Sequence, residues 1–223
     1  MIAADAERGA GRREEVLGVV LCGGRSRRMG RDKALLRAPD RELTLLARAA
    51  QVLGEVCDEV VLACGATPRY GELGLRQVFD RIPEAGPLAG IEAALADLKE
   101  GSAARRGVLT LACDMPHVGA AHLRRLLEQA RAGGLDVSLL EGTRGPEPLV
   151  GYYGASCIEV ARELLDAGLR RPVALLEDER LSWNTLPVEQ LPAELRGVDP
   201  TSNWNRPSDV LEGDLIDGVR EDS

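Results

Sequence analysis

The feature that most constrains this chain is an alternation of two kinds of segment. Short apolar runs of strand length are followed by longer stretches whose apolar residues recur at helical spacing. Val16–Cys22 (VLGVVLC) is a continuous apolar run stopped by Gly23-Gly24, the pattern of a strand buried on both faces. Glu59–Cys64 (EVVLAC) and Gly107–Cys113 (GVLTLAC) repeat it, and Leu75–Phe79 is a shorter version. Between these runs lie amphipathic stripes. Leu43–Val56 has apolar residues at 46, 49, 50, 53 and 56, Leu88–Leu98 has Leu88, Ile91, Ala94, Leu95 and Leu98, and Ala120–Ala132 has Leu123, Leu126, Leu127 and Ala130. Asp136–Glu141 and Leu149–Tyr153 are further strand candidates, and Ser156–Ala167 reads as a helix capped by Ser156 and followed by Gly168. Strand and helix in repetition predict right-handed βαβ units. The expected fold class is therefore α/β, with three layers and a mostly parallel central sheet covered by helices on both faces. No internal repeat or low-complexity linker interrupts the pattern, so one domain is expected over 15–212, between a charged tail at 1–14 and an acidic tail at 213–223.

Composition excludes several function classes. Of 223 residues, 44% are hydrophobic, enough to bury a sizeable core. No apolar run approaches the ~20 residues of a membrane span, and the charged first fifteen residues lack the apolar block of a secretory signal. Lys+Arg number 28 against 36 Asp+Glu, a net charge of −8, and aromatics make up only 3%. That balance argues against nucleic-acid partners. Five cysteines, an odd number with no C-x-x-C spacing, suggest reduced thiols and a cytoplasmic protein. Cys22, Cys64 and Cys113 each close an apolar run and read as small strand-end residues. His117 and His122 fit no metal spacing, with His122 expected on the polar side of its helix; Trp183 and Trp204 are expected in the core.

In open α/β sheets, ligands bind outside the carboxyl ends of the strands. The first strand ends in Leu21-Cys22-Gly23-Gly24-Arg25-Ser26-Arg27-Arg28-Met29-Gly30-Arg31-Asp32-Lys33, three glycines and five cations in an otherwise acidic chain. Glycines let successive backbone N–H groups face one concavity, which suits phosphate oxygens. Arginine grips two oxygens at once, whereas lysine is a compact point charge. The chain has only two lysines, Lys33 and Lys99. The spacing is neither G-x-x-x-x-G-K-[ST] nor G-x-G-x-x-G. The bland alternative is a solvated basic turn.

Two further strand ends carry carboxylates. Asp114, in Leu111-Ala112-Cys113-Asp114-Met115-Pro116, either opens a turn or holds Mg²⁺, which favours one or two carboxylates plus substrate phosphates. Asp80 precedes Gly86-Pro87-Leu88-Ala89-Gly90, a helix entry with proline in the first turn. A carboxylate can accept from both guanine N1–H and the 2-amino group and fits cytosine less well, so Asp80 is a candidate guanine reader.

The first loop resembles the signature L-x-G-G-x-S-x-R-M-G-x-D-K of the molybdenum cofactor guanylyltransferase family, with Cys22 in place of the usual alanine. Cys113-Asp114-Met115-Pro116 resembles its C-D-x-P motif, and Asp80 with Gly86–Gly90 its D-x₄₋₆-G-P-L-A-G element. Pro148-Leu149-Val150-Gly151-Tyr152-Tyr153 and Asn203-Trp204-Asn205-Arg206-Pro207-Ser208-Asp209 resemble two weaker elements. The resemblance implies transfer of GMP from Mg²⁺-bound GTP to molybdopterin, with pyrophosphate released. It implies Arg28, Lys33 and Asp114 as catalytic residues and Asp114 as the metal ligand. GTP would meet Leu21, Cys22, Gly23, Gly24, Ser26, Arg28, Lys33, Cys64, Asp80, Gly86, Pro87, Leu88 and Asp114. At Cys64-Gly65-Ala66 the family often has an asparagine, so contact there would come from backbone. Pro148, Tyr152, Asn203 and Asn205 would lie on the acceptor side. Implied partners are GTP, molybdopterin or the molybdenum cofactor, and other cofactor-biosynthesis proteins or molybdoenzyme clients. The alternatives are a cytidylyl or sugar-phosphate nucleotidyltransferase of the same fold, or a non-catalytic adaptor that delivers the cofactor.

Overall fold

The computed structural model describes residues 14–24, 32–39, 42–100 and 106–204. Of the expected tail 1–14, residues 1–13 lie outside the described residues and Glu14 opens β1; the expected tail 213–223 lies outside them. In chain order the elements are β1 (Glu14–Leu21), α1 (Leu45–Gly54), β2 (Cys57–Ala63), β3 (Arg76–Val78), α2 (Pro87–Glu100), β4 (Gly107–Ala112), α3 (Ala120–Gly133), β5 (Val137–Gly142), β6 (Gly145–Gly154), α4 (Cys157–Asp166) and β7 (Trp183–Pro187). The strands form one seven-stranded sheet in the order β3-β2-β1-β4-β6-β5-β7. Four of its pairings are parallel: β1 with β2 and β4, β2 with β3, and β5 with β7.

Side chains alternate across each strand, so the apolar runs supply two cores. Val16 and Val20 of β1 join Leu62, Leu109 and Leu111 beneath Leu46, Ala49 and Leu53 of α1 and Leu123, Leu126 and Leu127 of α3. Leu17 and Val19 join Val61 and Val108 on the other face, under Leu88, Ile91 and Leu95 of α2 and Ile158, Ala161 and Leu165 of α4. Each fully buried leucine contributes roughly 1.5–3 kcal/mol relative to exposure. Helix α1 starts where Thr44 accepts from Ala47 N–H at 3.2 Å. Helix α3 ends at Gly134, whose φ of 58° supplies the left-handed cap.

Six details depart from the expectations. The segments expected as 136–141 and 149–153 are strands, but they form an antiparallel hairpin, and β6 also runs antiparallel to β4. Only Thr143 and Arg144 separate them, too short a link for a parallel crossover. Strand β6 starts at Gly145 despite Pro146 and Pro148, because β4 pairs only with Val150–Gly154 and leaves one side of the proline segment open. Strand β7 (WNTLP) is a polar edge strand with no apolar run to announce it. Trp183, on that strand, is 45% exposed rather than in the core, while Trp204 is buried against Leu36, Ala38 and Leu45. Ser156 does not cap α4; its hydroxyl donates to the Asp136 carboxylate. His122 is buried rather than on a polar face. Its Nδ1 accepts from Gly119 N–H at 2.9 Å, and its Nε2 donates to the Leu195 carbonyl at 3.1 Å.

The strand order has a consequence for ligand binding. Chain progress from β1 goes outward to β2 and β3, then returns through α2 to β4 on the other flank of β1. The order reverses between β1 and β4, where a crevice opens at the carboxyl ends. No helix among the described residues is long and apolar enough to cross a membrane.

Candidate active site

A cavity of about 730 Å³ opens at that crevice, a size typical of small-molecule sites. Of the residues expected to hold nucleotide, Leu21, Cys22, Gly23, Gly24, Lys33, Cys64, Asp80, Gly86, Pro87 and Asp114 line it. Ser26 and Arg28 lie outside the described residues. Leu88 does not reach the cavity: its side chain is fully buried in the core beneath α2.

The floor is made by strand ends. Cys22 N–H donates to the Ala63 carbonyl at 3.0 Å and Cys113 N–H to the Leu21 carbonyl at 3.3 Å, so the parallel pairing continues one residue past each strand. Cys22 and Cys64 are buried free thiols whose sulfurs lie 3.4 Å apart. Small side chains here keep the floor low enough for a ligand to approach the backbone. Gly23 is required by space. A Cβ on it would stand 2.9 Å from Gly65 N, and Gly65 itself has a φ of 85°. Gly23→Ala is expected to force the two turns apart, with a loss of about 1–3 kcal/mol in urea unfolding.

On one wall, Asp32 opens a short 3₁₀ turn, Lys33–Leu35, by accepting from Ala34 N–H at 3.1 Å. Lys33 follows, and its ammonium donates to Asp114 Oδ2. Asp114 is only 6% exposed. It leaves β4 in a turn closed by Met115 N–H on the Ala112 carbonyl at 3.3 Å, and its own carbonyl accepts from Trp204 N–H at 2.9 Å. The structure thus brings together Lys33 and Asp114, which are 81 residues apart in sequence.

Asp80 stands at the far side, after β3, its N–H held by the Gly65 carbonyl at 3.0 Å. Three strand spacings separate the ends of β3 and β4, about 14 Å. Asp80 Oδ1 is buried with no hydrogen-bond partner. Burial, reinforced by the Glu92 carboxylate, pushes the Asp80 carboxyl up to about 6. The helix entry beside it is shaped for close approach. Gly86 turns with a φ of 76°, Pro87 is the first residue of α2, and a Cβ on Gly90 would lie 3.3 Å from both Leu21 and Ala63 side chains.

The expected acceptor residues are divided. Asn203 is half-buried beside Trp204, whose main chain bonds Asp114; Asn205 lies outside the described residues. Pro148 is half-buried, and its carbonyl accepts from Tyr153 at 2.6 Å, while the adjacent Leu149 lines the cavity. Tyr152 does not join them. It pairs with Leu109 partway down the sheet, and its hydroxyl donates to the Arg106 carbonyl at the opposite end.

Sequence reasoning missed three contributors. Arg69, which lines the cavity, donates to Gly24 O at 3.3 Å and Asp32 Oδ2 at 2.5 Å. Tyr70 donates to the same Asp32 oxygen at 2.8 Å. Glu147 carries a carboxyl raised by burial, and Asp114 nearby adds to the shift. A Pro-Arg-Tyr stretch outside any strand or helix offered no periodic signal for Arg69 and Tyr70. Glu147 lies between two prolines that argued against a strand.

A family profile described as the MobA-like NTP transferase domain matches residues 18–181. A probable molybdenum cofactor guanylyltransferase of Pelotomaculum thermopropionicum is 41% identical over 202 residues, covering 91% of this chain and 93% of that protein. Its counterpart in Opitutus terrae is 38% identical over 86% of this chain and 91% of its own length. Among solved structures, the molybdopterin-guanine dinucleotide biosynthesis protein A of Archaeoglobus fulgidus superposes with a TM-score of 0.68 at 25% identity, covering 87% of this chain and 94% of that one. The 4-diphosphocytidyl-2C-methyl-D-erythritol synthase of Anaerococcus prevotii has a TM-score of 0.60 at 10% identity over 89% of this chain and 96% of its own, a likeness of fold alone.

Proposed function

Since the chain belongs to the family of MobA-like NTP transferases, enzymes of nucleotidyl transfer in molybdenum cofactor biosynthesis, we propose that its reaction is transfer of GMP from Mg²⁺-bound GTP to the terminal phosphate of molybdopterin. The products are molybdopterin guanine dinucleotide and pyrophosphate. The observation that carries the choice of guanine is Asp80, a half-buried carboxylate with one unpartnered oxygen, which lines the cavity whose other end holds Lys33 and Asp114. A buried acceptor without a donor is costly, and guanine supplies two adjacent donors for one carboxylate.

The triphosphate would lie over Gly23 and Gly24, with the Lys33 ammonium on its β- and γ-oxygens. In its absence Asp114 compensates that ammonium. Asp114 fits a divalent ion: it is one carboxylate beside a phosphate cradle, and Mg²⁺ binds through one or two carboxylates plus substrate phosphates. Among the described residues no three side chains group into a metal site of their own, so phosphate oxygens would complete the shell. When bound at Asp114, the metal would supply charge neutralisation on the substrate phosphates. The acceptor is a phosphate monoester, whose second pKa near 6 leaves it largely dianionic at neutral pH. Its oxygen attacks the α-phosphorus in line, the bond to the β-phosphate's bridging oxygen breaks, and no general base is needed. Lys33 neutralises the charge gathered on the departing pyrophosphate. Asn203, next to Trp204 whose main chain bonds Asp114, would lie on the acceptor side. The reaction needs no membrane or nucleic-acid partner, and we assign it to the cytoplasm.

Asp80→Asn tests the guanine reading. It is expected to abolish the preference for GTP over CTP in a pyrophosphate-release assay. Wild-type affinity for GTP should fall as pH drops below about 6, because the protonated carboxyl no longer accepts two N–H groups. The sign for stability is opposite. A folded-state pKa above the ordinary carboxylate value means the ionised group destabilises the fold above pH 6, and that penalty fades as pH falls toward 4. After discounting for partial exposure, Asp80→Asn is expected to gain about 1 kcal/mol at pH 7.5 by urea unfolding. A variant that keeps GTP preference removes Asp80 as the reader.

A further inference from the structure

We propose that Arg69 and Tyr70 are positioning residues that clamp Gly24 and Asp32, on either side of residues 25–31, and compensate the Asp32 carboxylate. The inference rests on a nucleoside triphosphate occupying the cavity, but not on which base it carries. Gly24 and Asp32 are the described residues on either side of the arginine-dense stretch 25–31, which lies outside the described residues. One guanidinium spans both points: Arg69 Nη1 donates to Gly24 O at 3.3 Å and Nη2 to Asp32 Oδ2 at 2.5 Å. Tyr70 adds its hydroxyl to the same oxygen at 2.8 Å. The other Asp32 oxygen holds the turn that starts with Lys33. An unbroken chain of contacts therefore runs from Arg69 and Tyr70, through Asp32, to the lysine that meets Asp114.

The pair is itself held in place. Arg69 N–H donates to Gln77 Oε1 of β3 at 3.0 Å, and the guanidinium lies 4.7 Å from the Tyr70 ring centroid. Tyr70 is 8% exposed and has a φ of 57° and ψ of 37°, the left-handed region. A bulky aromatic residue there costs on the order of 1 kcal/mol and persists only where surrounding contacts demand it. Burial and the Asp32 bond hold the phenol well above its ordinary range, so it stays a donor. The charge logic is direct. Asp32 lines the cavity, and an uncompensated carboxylate beside a triphosphate repels it. Two donors from one short segment reduce that repulsion and tie Asp32 to Gly24 with the same bonds.

The test is calorimetric titration of the full chain with Mg·GTP and Mg·CTP, alongside transfer kinetics, for wild type, R69Q, Y70F and the double variant R69Q/D32N. R69Q is expected to weaken both triphosphates by about tenfold or more, the usual scale for a lost charged hydrogen bond, and to lower kcat as Lys33 loses its register. Y70F keeps the buried ring and should lose about threefold. Adding D32N to R69Q should restore most of the lost affinity, which a packing defect would not allow. Wild-type affinity and turnover in both R69Q and Y70F overturns the clamp, and no recovery in the double variant overturns the charge compensation. If R69Q does not fold, Y70F decides alone. A wild-type chain that prefers CTP sinks the guanine reading but leaves the clamp to be judged on that triphosphate. One that binds neither overturns both.

Discussion

Asp114→Asn is expected to lower nucleotidyl transfer by roughly a thousandfold or more while leaving the fold intact. Asparagine has nearly the same shape, so the turn after β4 and the bond from Trp204 N–H to the residue-114 carbonyl are preserved. What disappears is the negative charge. Without it a divalent ion loses its protein ligand, and the charge spread over the phosphates in the transition state loses its partner, an effect worth several kcal/mol. The substitution also removes the bond from the Lys33 ammonium to the residue-114 carboxylate. Lys33 lines the cavity, so water takes over that role in part. Pyrophosphate release and the thermal midpoint, measured on the same preparation, separate the two effects. A variant that retains wild-type rates removes the metal role from Asp114.

Lys33→Ala is expected to cost about a hundredfold in kcat, close to 2.7 kcal/mol of transition-state stabilisation. Asp32 still accepts from Ala34 N–H, so the 3₁₀ turn survives the truncation. Affinity for the nucleotide should fall less than turnover, because charge builds on the leaving pyrophosphate only as the bond breaks. Single-turnover rates at saturating GTP read that difference. An unchanged kcat with a raised KM would assign Lys33 to ground-state binding alone.

How far such roles can be read without coordinates depends on where the signal lies. The buried parallel strands were legible because a strand covered on both faces is apolar throughout, as in Val16–Cys22 and Gly107–Cys113. The hairpin of β5 and β6 was not, because its direction depends on a two-residue link rather than on hydrophobic pattern. Edge strand β7 has one buried side chain in five, so nothing apolar marked it. Within the site, Asp80 and Asp114 stood after strand ends and Lys33 closed the loop that follows β1; all three carried motifs and line the cavity. Leu88 belonged to a motif but serves packing, and Tyr152 sits on the expected strand yet points to its far end. Arg69 and Tyr70 were invisible for a different reason. Their partners, Gly24 and Asp32, lie 45 and 38 residues away in the sequence, and only the fold brings them together.

The central claim is that a metal-bound triphosphate sits between the glycine turn and Asp114 with its guanine on Asp80. A crystal structure of the chain with Mn²⁺ and a non-hydrolysable GTP analogue measures it most directly, because the anomalous signal locates the metal. The account predicts Mn²⁺ at about 2.1 Å from an Asp114 carboxylate oxygen, phosphates over Gly23 and Gly24, and guanine N1 and N2 within hydrogen-bond distance of Asp80. Metal bound away from Asp114, or a base turned away from Asp80 with the phosphates elsewhere, would contradict it.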